Sequence, residues 1–113
     1  MEQMTYKIKY TRSSAQDIRN MKEYILRTFK YRELGERFTE KMKVATSKLK
    51  TFPKGYGTID FQYRGYDIYL KPYRTYLFFY IVDEANATVT ILRVLQDGMN
   101  WKFILKRWLE EKQ

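Results

Sequence analysis

At Phe52-Pro53 the hydrophobic pattern of this chain changes period, and that switch limits the folds open to it. Before it, apolar residues recur at Ile18, Met21, Ile25 and Phe29, then at Leu34, Phe38, Met42, Ala45 and Leu49. A three-to-four spacing of this kind makes one face of a helix. A break near Lys30–Glu33 separates the stripes and predicts a helical hairpin. Proline cannot continue the second helix and disfavours helix at the residue before it. Beyond the glycines of Lys54-Gly55-Tyr56-Gly57 the residues read as strands: Ile59–Tyr63 and Tyr66–Lys71 around Arg64-Gly65, then Tyr76–Val82 and Thr88–Leu95 around Asp83-Glu84-Ala85-Asn86. The run Tyr76–Val82 is apolar throughout, as a strand buried on both faces must be. It should pair with Thr88–Leu95 as a hairpin.

The two ends complete the plan. Tyr6-Lys7-Ile8-Lys9-Tyr10 alternates apolar and polar residues and predicts an N-terminal strand. Ser13 with Gln16, or Ser14 with Asp17, has the spacing of a capping box at the start of the first helix. Trp101, Ile104, Leu105 and Trp108 form a last helical stripe. The expected class is α+β: an N-terminal strand, a helical hairpin, an antiparallel sheet of three to four strands and a short C-terminal helix. At 113 residues, with no repeat or linker, residues 1–113 read as a single domain.

Charge narrows the partners. There are 22 Lys+Arg against 13 Asp+Glu, a formal charge of +9, which favours polyanions: nucleic acid, a ribosome surface, an acidic protein segment or an anionic membrane. No Cys and no His are present, which removes disulfides, a thiol nucleophile, an imidazole base and the usual zinc ligands. The expectation is a cytoplasmic protein with no metal and no cofactor. The first ten residues carry no apolar leader core, and the longest apolar run is too short to span a bilayer.

Several segments, in this order, resemble the RelE/ParE superfamily of bacterial toxins. Tyr10-Thr11-Arg12-Ser13-Ser14-Ala15-Gln16-Asp17-Ile18 is similar to its opening. Leu49-Lys50-Thr51-Phe52-Pro53 resembles its second-helix exit, and Tyr76–Glu84 its central strand. Val89-Thr90-Ile91-Leu92-Arg93-Val94-Leu95, followed by Trp101, Ile104 and Leu105, is the strongest match. The resemblance implies the toxin of a type II toxin–antitoxin system, held silent by an acidic antitoxin. Some members cleave mRNA in the ribosome, others poison DNA gyrase, and an inactive member is a further option. The sequence departs from the family at three places. Gln96 stands where many members have His, Asp97-Gly98-Met99-Asn100 replaces a basic pair and an Asp, and Leu77 replaces an arginine.

The first expectation is ribosome-dependent mRNA cleavage, making the protein an endoribonuclease; the alternative is a ParE-type inhibitor of gyrase, which is no enzyme. Cleavage by a 2′-hydroxyl needs a base, an acid and stabilisation of phosphate charge. Arg93, Arg74 and Tyr80 are the catalytic candidates. Lys50, Lys54, Arg64, Lys71 and Gln96 are candidates for holding RNA. Arg93 interrupts an apolar strand, so it binds phosphate, faces solvent or pairs with Asp67, Asp83 or Asp97. Tyr80 is a proton donor, a stacking platform or simply a core ring. Gln96 and Asn100 also fit as a helix cap.

Overall fold

The computed structural model describes residues 4–112. In chain order it contains β1 (Lys7–Tyr10), α1 (Arg12–Phe29), α2 (Arg32–Ser47), a 3-10 turn (Lys48–Lys50), β2 (Thr58–Tyr63), β3 (Tyr66–Tyr73), β4 (Tyr76–Asp83), β5 (Thr88–Gln96) and α3 (Trp101–Lys112). The strands make one sheet in the order β1-β5-β4-β3-β2. β2 to β5 form the expected antiparallel set, and β4 and β5 are the expected hairpin. β1 joins as a fifth, edge strand, parallel to β5, with Lys7 opposite Thr88 and Tyr10 opposite Ile91.

The sheet carries helices on both faces, and this is why β4 is apolar from Tyr76 to Val82. Phe78, Tyr80 and Val82 pack with Phe38, Met42, Ala45 and Leu49 of the hairpin side. Leu77, Phe79 and Ile81 pack with Leu105, Trp108 and Leu109 of α3. Each large side chain so buried contributes roughly 1.5–3 kcal/mol. β3 continues through Pro72 to Tyr73, beyond the Lys71 limit read from the sequence. β2 ends its pairing at Thr58 opposite Tyr69, so past Leu70 that side of β3 needs no donor. The missing amide of Pro72 therefore costs nothing there.

The start of α1 lies elsewhere than either capping box predicts. Thr11 is the N-cap, its hydroxyl accepting from the Ser14 amide at 3.0 Å, while Ser14 donates back to the Thr11 carbonyl at 2.9 Å. The backbone of Thr11 is still held by β5, which fixes the cap one turn early: its amide donates to Ile91 at 3.0 Å. At the other end, Lys30 closes α1 in the left-handed region, with φ 57°. Glycine has no Cβ penalty in this conformation. Lys30→Gly is expected to raise the unfolding free energy by about 1 kcal/mol, read by urea titration.

Candidate functional site

Past Tyr10 the chain leaves the sheet, yet β5 runs on to Gln96 with an open edge. The first turns of α1 cover it. Thr11 Oγ1 donates to the Leu92 carbonyl at 2.7 Å, and the Val94 amide donates to Asp17 Oδ2 at 3.0 Å. A carboxylate thus supplies the acceptor that a neighbouring strand would otherwise provide. The pairing of β4 with β5 shifts by one residue here, since Phe79 faces Arg93 and Tyr80 faces Ile91. Such a bulge bends the strand and re-aims a side chain. Arg93 then grips Asp17 with two bonds, Nε to Oδ2 at 2.7 Å and Nη2 to Oδ1 at 2.9 Å. This fork-to-carboxylate geometry is the strong form of an ion pair. Arg93 also lies 6.0 Å over the ring of Trp108, whose Nε1 donates to Ser13 at 2.7 Å. Arg93 therefore pairs with none of Asp67, Asp83 or Asp97. Its partner stands 76 residues away.

A second cluster gathers on the hairpin side of β3. Tyr69, Lys71 and Tyr73 alternate along the strand and so share one face. Lys71 is buried there and donates from Nζ to the Ala45 carbonyl in the last turn of α2. It satisfies a terminal carbonyl at the negative end of that helix. Its charge also sits 5.3 Å from the Tyr56 ring centre and 5.8 Å from that of Tyr73. Burial, with the Lys48 charge adding to it, lowers the amine from 10.5 to about 8. Arg74 stacks over the other reach of Tyr73 at 5.7 Å. Tyr80 stacks on Tyr69 at 5.4 Å and donates to the Pro53 carbonyl at 2.5 Å. Burial pushes its hydroxyl well above the usual phenol range. With no exposed surface, Tyr80 is a core ring and offers no face to a base.

The lowered amine makes a pH prediction. Between pH 8 and 10.5 the folded chain sheds the Lys71 proton while the unfolded chain keeps it, so stability rises with pH across that window. Below pH 8 both states hold the proton and the folded state bears the full burial penalty. The unfolding free energy of the native chain minus that of Lys71→Met is expected to climb from pH 8 to 10.5. Parallel urea curves across that range would contradict it.

The remaining sequence candidates are dispersed over the surface. Arg64 is exposed at the tip of the β2–β3 turn, with φ 51° and its guanidinium 5.0 Å over Tyr63. The opposite end of β3 carries Arg74, so the two arginines are not brought together. Lys54 pairs with Glu84. Lys50 is exposed, while its carbonyl accepts from the Tyr6 amide at 2.8 Å. Gln96 is opposite Tyr76, and Asn100 Oδ1 accepts from the Phe103 amide at 3.4 Å, which caps α3. The sequence offered Asp17 only Ser14, as a capping-box partner, where the structure gives it Arg93 and the Val94 amide; the tyrosines around Lys71 were missed, and the every-second-residue pattern of Tyr69, Lys71 and Tyr73 was the available signal.

An apolar groove opens where the hairpin leaves the sheet. Met21, Tyr24, Ile25 and Phe29 of α1 face Leu34 and Phe38 of α2, above Tyr76 and Gln96. Its volume is about 470 Å³. Among the described residues, Arg37 and Lys41 are its only charged lining residues. Tyr24 is 59% exposed and Phe29 53%, so apolar surface is left open to a partner.

Comparison with known proteins follows the same lines. The family described as ParE toxin of type II toxin–antitoxin system, parDE, matches residues 8–101. Three solved assemblies share the fold. The chromosomal ParDE toxin–antitoxin system of P. aeruginosa aligns with a TM-score of 0.64 and 13% identity, over 84% of this chain and 99% of that one. The toxin–antitoxin complex RelBE2 of Mycobacterium tuberculosis gives 0.59 and 18%, over 86% and 97%. The archaeal RelE–RelB complex of Pyrococcus horikoshii OT3 gives 0.51 and 19%, over 85% and 99%. No curated protein sequence matches this chain.

Proposed function

Because this chain belongs to the ParE toxin family of type II toxin–antitoxin systems, we propose that it arrests growth by binding DNA gyrase, and that an acidic antitoxin holds it silent. The observation that carries this reading is the pair of hydrogen bonds that Arg93 donates to Asp17. The arginine best placed to hold a phosphate is committed to closing the edge of β5. Tyr80 is likewise committed to Pro53, and Arg64 and Arg74 stand at opposite ends of β3. Inhibition by binding needs surface complementarity and no acid–base pair. The antitoxin seat is the groove between α1, α2 and Tyr76. An amphipathic acidic helix would lay its apolar face on Met21, Ile25 and Phe38 and set carboxylates against Arg37 and Lys41. Gyrase as the target puts the place of action in the cytoplasm. Among the described residues no helix is long and apolar enough to cross a membrane.

One observation favours a second reading, cleavage of mRNA on the ribosome. Lys71, lowered to about 8 between Tyr56 and Tyr73, would be a proton donor suited to neutral pH once its Nζ leaves the Ala45 carbonyl. Supercoiling by purified gyrase separates the two. Stoichiometric excess of the toxin is expected to suppress it, and addition of the copurified antitoxin to restore it. Undiminished supercoiling, with messages cut at defined codon positions in primer extension, would transfer the assignment to the nuclease.

A further inference from the structure

Away from the apolar groove, a second groove of about 730 Å³ runs between β1 and the C-terminal end of α2. Its chemistry is different. Lys7, Lys43 and Lys50 line it, all exposed, and among the described residues no Asp or Glu does. Among the described residues none of the three lysines is in an ion pair. Tyr10 forms one wall; the residue is 42% exposed and its hydroxyl donates to Thr46 Oγ1 at 3.2 Å.

We infer that this groove binds single-stranded nucleic acid through its phosphodiester backbone. Lysine is a point charge without the planar fork that reads a base or a carboxylate in two bonds, so three lysines in a row track a backbone of regular charge. A fixed, exposed aromatic ring beside such a track gives a base its stacking platform. An acidic peptide fits less well. As a helix it needs an apolar stripe, and Ile8 is the single aliphatic side chain in the lining. As a strand it needs the outer edge of β1, where the carbonyl of Lys50 already takes the Tyr6 amide. The inference is independent of gyrase, since it concerns the opposite side of α2 from the antitoxin seat and is measured without the enzyme.

The test is fluorescence anisotropy of a labelled single-stranded oligo-dT with the purified full chain over a salt series. Three neutralised phosphates predict that log Kobs falls with log salt at a slope of about −2. The triple change Lys7→Gln, Lys43→Gln, Lys50→Gln is expected to lose about tenfold or more at low salt and to flatten the slope. An equal charge loss on α3, by Lys102→Gln, Lys106→Gln and Arg107→Gln, keeps affinity within about twofold. Tyr10→Ser weakens binding with the slope unchanged. Should the groove triple fail to fold, Lys43→Gln alone, at an exposed helix position, is expected to reduce the slope by about 0.7. Equal losses in the two triples would overturn the inference, leaving net charge as the cause. So would a chain that ignores oligo-dT but binds poly-glutamate with the same dependence on Lys43.

Discussion

Replacing Asp17 by alanine is expected to lower the unfolding free energy by about 3 kcal/mol, at the lower end of the range for breaking a buried pair. The two side chains are 13% and 16% exposed, so water screens the stranded charge only in part. Asp17→Ala leaves the Arg93 guanidinium without its fork and the Val94 amide without an acceptor. Both losses fall on groups already removed from solvent, where an unmade bond is costly. Arg93→Ala should approach the same loss, because it strands the carboxylate instead. The double variant should lose less than the sum, with a coupling of about 1–3 kcal/mol. Additive losses in a urea-titration cycle would show that the pair contributes little. The functional corollary is practical: toxicity lost in Arg93→Ala is a folding effect first, and an assay of that variant needs its folded fraction measured alongside.

Trp108→Ala should cost about 3–5 kcal/mol, as truncation of a large buried aromatic does. The indole stacks on Tyr63 at 5.5 Å and donates to Ser13, so it joins α3 both to β2 and to the start of α1. For a chain of this size the melting temperature should fall by roughly 15 °C or more. Trp108→Phe keeps most of the packing and loses the hydrogen bond, with an expected loss of about 1 kcal/mol. A shift of only a degree or two in Trp108→Ala would mean that α3 rests loosely on the sheet and is free to be displaced by a partner.

How much of this was legible beforehand depended on the range of the interaction. The stripe Leu34, Phe38, Met42, Ala45 and Leu49 and the stop at Phe52-Pro53 are local, and α2 follows them. The unbroken apolar run Tyr76–Val82 announced a strand covered on both sides, and α3 and the hairpin cover it. The cap of α1 was misread because Thr11, Ser13 and Ser14 are all good caps; the bond from β5 to Thr11 chose between them, and that bond is not local. Arg93 showed itself as a break in an apolar strand, but three acids near in sequence were preferred to one on the first helix. The chemistry of Lys71 needed the end of α2 laid across β3, which no spacing encodes. The sequence candidates fell into a β5 edge clamp, a β3 cluster and a scatter of surface charges because their order along the chain says nothing of their meeting in space.

The parallel pairing of β1 with β5 has a temporal side. Lys7 waits for Thr88, and every element between them must be synthesised first. At about 5–20 residues per second the two are made roughly 4–16 s apart. Until β5 emerges, the nascent chain carries its first strand and first helix without the edge on which both are anchored. Closing so long a loop is entropically demanding and belongs to the late, slow part of folding. A ribosome stalled before Thr88 therefore holds a chain in which β1 has no strand to dock on.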